Sequence, residues 1–89
     1  MQSILEEAQT LIRGDREQDY GHPKINLEKV AQQWSLYLHQ KHGSEVILSG
    51  EDVCWMMTDL KKIRQMNVPK RDNLVDAAGY VGLIERMDE

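Results

Sequence analysis

This 89-residue chain has a single cysteine, Cys54, so no internal disulfide can form. The simple reading is a protein folded in a reducing cytosol. No run of 18 apolar residues occurs, which leaves no segment able to cross a bilayer as a helix. The opening stretch MQSILEEAQTLIRG places acids where a secretory leader needs bases. The chain is therefore expected to be soluble, untargeted and cytoplasmic, without a membrane partner. A basic excess is missing too. The net charge is −4, with acids and bases interspersed, and this excludes the basic face or tail of a dedicated nucleic-acid binder. No HExxH, CxxC, P-loop or GxSxG pattern is present, and His22, His39 and His42 do not make a metal set.

What remains is helical periodicity. Ile4, Leu5, Ala8, Leu11 and Ile12 recur at i, i+1, i+4, i+7 and i+8, with Ser3 and Glu6 spaced as a capping box and Gly14 as a stop. Residues 15–24, DREQDYGHPK, carry charge, Gly and Pro without an apolar period and read as an ordered loop or turn. A second helix is predicted from Asn26, as N-cap, to His42, with Gly43 behind it. Leu27, Val30, Ala31, Trp34, Tyr37 and Leu38 form its inner face, and Leu36 points away as a lone exposed leucine or a subunit contact. Residues 44–50 read as a connector. The third helix, Val53–Met66, starts behind Ser49 and Asp52, with Val53, Met56, Met57, Leu60 and Ile63 in one apolar stripe. The fourth, Asp72–Met87, takes Asp72 as its cap and contains Gly79 and Gly82, which suggest close packing. The expectation is one all-α domain spanning residues 1–89, a four-helix bundle. A core this small is naturally supplemented by oligomerisation.

Two constellations carry the chemistry. The first is the loop Arg16-Glu17-Gln18-Asp19-Tyr20-Gly21-His22, which presents a carboxylate, a phenol, a flexible glycine and an imidazole together. These residue types also suit a plain polar turn. The second is Lys61, Arg64, Asp72, Asp76 and Tyr80. Arg64 falls inside the apolar stripe of the third helix, with Lys61 on its edge, and Asp76 falls on the apolar arc of the fourth. A buried unpaired charge costs several kcal/mol, so such groups pair or bind a ligand. Arg64 and Asp76 are thus expected either to hold an anion or to form a structural ion pair. Asp72 and Asp76 could supply two oxygens to Mg²⁺. Cys54 reads as packing rather than a nucleophile.

The stretches RGDREQDYGHPKINLEKVAQQWSLYL and SGEDVCWMMTDLKKIRQMNVPKRDNLVDAAGY resemble a family of small phage and prophage proteins of unknown function. That family in turn resembles the all-α NTP pyrophosphohydrolases, the MazG and dUTPase-like group. The resemblance implies a MazG-like helical bundle, a homodimer or higher homo-oligomer, and a nucleotide or other phosphate-bearing ligand held with Mg²⁺. It implies ligand contacts from Asp19, Tyr20, Gly21, His22, Lys61, Arg64, Asp76 and Tyr80, and metal contacts from Asp72 and Asp76. The enzymes carry E-x-x-E on one helix and E-x-x-D on the next. Here Asp59 is followed by Lys62 three residues on, and the next helix offers only Asp72 and Asp76. Anion binding is retained and two-metal hydrolysis weakened. Three readings stay open: a pyrophosphohydrolase, a nucleotide-sequestering module without chemistry, and a structural oligomer without ligand.

Overall fold

Ser3 starts the first helix as the spacing predicts. Its hydroxyl accepts from the Glu6 N–H at 3.1 Å, and the Glu6 carboxylate accepts from the Ser3 N–H at 2.9 Å. A computed structural model, describing residues 1–89, shows five helices: α1 (Ile4–Arg13), α2 (Asp15–Tyr20), α3 (Pro23–His42), α4 (Gly50–Asn67) and α5 (Arg71–Arg86). There are no strands, and no helix is long and apolar enough to cross a membrane. The four long helices are those expected. The fifth, α2, falls where a loop was expected and breaks from α1 only at Gly14.

Two helix starts, those of α3 and α5, differ from expectation, each for a local reason. Helix α3 begins at Pro23 rather than behind Asn26, because proline suits the first helical position and the His22 ring accepts from the Lys24 N–H at 3.2 Å. Helix α4 starts behind Ser49 as expected, with Ser49 and Asp52 closing a second reciprocal box at 3.1 and 2.9 Å. Helix α5 is not capped by Asp72, which lies in its first turn. Gln65 reaches across from α4 instead, accepting from the Lys70 N–H at 3.0 Å and from the Asn73 amide at 3.2 Å.

The helices pack α1 on α5, α5 on α4, and α4 on α3, with α2 joining α1 to α3. The core is small. Ile12, Leu27, Ala31, Val53, Cys54 and Leu83 form its buried cluster, and Val30, Trp34, Met57 and Tyr80 close around it. Two glycines set the helix spacing. At Gly82 an added Cβ would come within 2.8 Å of Ile12 Cδ1, so α1 lies against bare α5 backbone there. Gly50 is buried likewise, hemmed by Leu27 and Met87. The connector 43–49 is tied down by Ser35, whose hydroxyl donates to the Ala31 carbonyl at 2.7 Å and accepts from the Leu48 N–H at 2.9 Å.

The predicted apolar faces are only half used. On α4, Val53 faces the core, whereas Met56, Leu60 and Ile63 are exposed. On α3, Tyr37 is exposed. The second face of α4 looks past α3 because α3 packs only part of it.

Candidate functional site

A cavity of about 270 Å³ opens between α1, α2 and α5. Its floor is apolar, built by Ile12, Val75, Gly79 and Leu83. Its walls are polar and aromatic: Asp15, Arg16, Asp19 and Tyr20 come from α2, and Asp76 and Tyr80 from α5. The spacing of Asp76 and Tyr80 by four residues puts both on one side of α5. The Arg16 guanidinium lies between the two phenols, its carbon 4.9 Å from the Tyr20 ring centre and 5.6 Å from that of Tyr80. Arg16 also donates to the Asn26 side-chain oxygen Oδ1 at 3.3 Å, which holds α2 to α3.

Helix α2 has no buried residue of its own. It is held by Arg86, which is 5% exposed. The Arg86 guanidinium donates to the Ile12 carbonyl at 2.6 Å, to Glu17 at 2.8 Å and to Glu89 at 3.1 Å. One side chain from the end of α5 therefore caps α1 and anchors α2. Sequence reasoning passed over Arg86. The available signal was a cation at 3.6-residue spacing from Leu83 and Gly79, on the arc facing α1.

The predicted residues divide. Asp19, Tyr20, Asp76 and Tyr80, from two constellations more than fifty residues apart, line one cavity. Lys61 belongs to it at one remove, because its ammonium lies 3.0 Å from the Asp76 carboxylate. Arg64 does not. The expected Arg64–Asp76 pair is absent: Arg64 is exposed and lines a separate cleft with Asn67, Val68, Lys70 and Asn73 at the α4–α5 turn. Three residues of offset on α4 explain the exchange, since position 61 rather than 64 turns toward Asp76 once the helices pack. Gly21 and His22 also stay outside the lining. Gly21 ends α2 at φ 80°, a left-handed backbone that favours glycine, and His22 starts α3. Asp72 is exposed and outside the cavity.

The electrostatics favour a ligand that brings its own cation or donors. Three carboxylates, Asp15, Asp19 and Asp76, border the opening against Arg16 and the Lys61 ammonium. No three His, Cys, Asp or Glu side chains converge as a metal-holding group. The carboxylates thus do not fit a Mg²⁺ cage supplied by the protein alone. Cys54 is fully buried, and its thiol is pushed up to about 11 by burial, against the pull of Arg16. It serves packing, as expected.

Two relatives cover nearly the whole chain. The Gene 55 protein of Mycobacterium phage L5 is 45% identical over 86 residues, 96% of this chain and 52% of that protein. The Gene 55 protein of Mycobacterium phage D29 is 40% identical over 89 residues, 99% of this chain and 55% of that protein. The chain spans about half the length of these relatives. No solved structure matches it. Residues 3–88 match the family described as "Domain of unknown function (DUF6378)", and the chain belongs to that family.

Proposed function

We propose that the cavity between α1, α2 and α5 binds a nucleotide. The observation that carries this reading is the convergence of Asp19, Tyr20, Asp76 and Tyr80 with Arg16 on one apolar-floored cavity. Arg16 fills the gap between the two phenols, so a flat base would stack on the open face of Tyr20, and its exocyclic amines would donate to the carboxylates. The volume, about 270 Å³, suits a base better than a whole nucleotide, so the phosphates would extend past the mouth. Mg²⁺ would arrive with those phosphates and take at most one or two protein oxygens, which Asp76 and Asp19 could supply. The resemblance to the all-α pyrophosphohydrolases supports a phosphate-bearing ligand. The donor set supports binding over two-metal hydrolysis, because no three carboxylates converge.

A thermal-shift screen of nucleoside triphosphates, diphosphates and cyclic nucleotides, with and without Mg²⁺, tests the reading. A rise in melting temperature, confirmed by calorimetry, supports it. Tyr20 is 58% exposed, so Tyr20→Ala leaves the fold intact. It should weaken binding about tenfold, as loss of one stacking wall worth roughly 1.4 kcal/mol would. Pyrophosphate release in the same samples would establish hydrolysis instead of sequestration. No shift with any member of the panel at millimolar concentration would overturn the nucleotide reading.

A further inference from the structure

The surface of this chain is too large for its mass. Folded monomeric proteins of 10.3 kDa expose about 5,400 Å² by the usual scaling, whereas this chain exposes 6290 Å². The excess, about 900 Å², is close to what one partner contributes to a standard protein interface, roughly 800 Å². The radius of gyration points the same way. It is 14.1 Å, against about 12 Å for a compact chain of this length.

The excess has an address. Trp34, Tyr37, Leu38, Leu48 and Met56 line a groove of about 500 Å³ between α3 and α4 with no polar residue among them. Leu60 and Ile63 continue it, since positions 56, 60 and 63 share one face of α4. We propose that this face is the interface between two copies of the chain, packed as an intermolecular four-helix bundle from α3 and α4 of each protomer.

A second copy fits better than a different protein for two reasons. A two-fold contact brings each surface against itself, and the five lining residues carry no charge, with Lys41 over the Tyr37 ring at the edge, so the groove meets itself without like-charge repulsion at its centre. Interfaces between transient partners are about as polar as the rest of the surface, whereas homodimer interfaces are more apolar, as here. The inference is independent of what the α1–α2–α5 cavity binds.

Light scattering after size-exclusion chromatography tests it, on the full chain at concentrations up to the order of 100 µM. Ile63 and Tyr37 are each 61% exposed, so Ile63→Glu and Tyr37→Lys leave the protomer helical, checked by circular dichroism. Val81, on α5 away from the groove and 45% exposed, supplies the control Val81→Glu. The expected masses are twice 10.3 kDa for the native chain and the control, and 10.3 kDa for both groove variants. A native chain of monomer mass at the highest concentration overturns the proposal, and leaves the face to another partner. An assembly that survives both groove variants, or that only Val81→Glu dissociates, also overturns it. If one groove variant fails to fold, the other decides.

Discussion

A guanidinium with five donors must find acceptors when it leaves water, and Arg86 finds three: the Ile12 carbonyl, Glu17 and Glu89. Charge-assisted hydrogen bonds of this kind are worth about 1.5–3 kcal/mol each way of counting. Arg86→Met keeps much of the volume and removes the donors. It should lower unfolding stability by about 2–3 kcal/mol in urea titration, with amide exchange rising most in α2. An unchanged exchange rate in α2 would show that the helix stands without its anchor. The two central glycines of α5 make a sharper pair. At Gly79 an added Cβ meets Ile12 Cγ2 at 3.5 Å, an ordinary contact. Gly79→Ala should therefore stabilise by about 0.5–1 kcal/mol through helix propensity. At Gly82 the same methyl lies 2.8 Å from Cδ1 of an isoleucine that is itself buried. Gly82→Ala should fall below Gly79→Ala by about 1–3 kcal/mol. Equal stabilities by calorimetry would show that Ile12 yields freely. Cys54 offers a third residue-scale test. With its thiol buried and raised to about 11, alkylation by iodoacetamide at pH 8 should be negligible until denaturant opens the core.

At the scale of elements, the long helices were legible because their signals are local. Ser3 with Glu6, Ser49 with Asp52, and Gly43 all do what their spacing announces. Helix α2 was not legible, since DREQDY has no apolar period and is held by Arg86, 69 residues from Glu17, and by the bond from Arg16 to Asn26. Asn26 lost the cap to His22 because Pro23 fits the first turn, a contest between neighbours that residue type alone does not decide. The site was half legible. Asp19, Tyr20, Asp76 and Tyr80 meet, and Arg16 of the same loop constellation joins them without having been assigned a ligand contact, but Asp15 was overlooked. Lys61 and Arg64 exchanged roles because helix rotation on packing is a tertiary quantity. The element ends also predict an acid response. Glu6 is held below its usual 4.5 by the Ser3 backbone N–H and then its hydroxyl, and Glu89 by Arg86 and then Arg13. In both the folded value is depressed. Their stabilisation is therefore present above the unfolded value and lost as pH falls through the folded one. The melting temperature should stay level from pH 7 to about 5 and drop toward pH 3. Glu6→Gln should make that drop shallower, and an identical slope would remove the capping box as its source.

At the scale of the molecule, 48 × 33 × 19 Å describes a slab rather than a sphere. Its thinnest dimension is about two helix diameters, so no helix is surrounded by others on all sides. That geometry accounts for a core of so few residues and for the exposure of Met56, Leu60 and Ile63. A slab stabilised by its own copy should melt at a temperature that rises with protein concentration, because association draws on the folded form alone. A melting temperature constant over a hundredfold range of concentration would mean that the protomer stands by itself.

The Arg86 anchor also fixes an order of events. The ribosome delivers α1 and α2 before α5, yet the guanidinium that anchors α2 to the end of α1 arrives only with α5. Until then Asp15, Arg16, Asp19 and Tyr20 hang on a six-residue segment with nothing buried beneath it. During synthesis the cavity thus takes shape only once α5 has been made, and a nascent chain cannot engage a ligand there before its sequence has been read through Arg86.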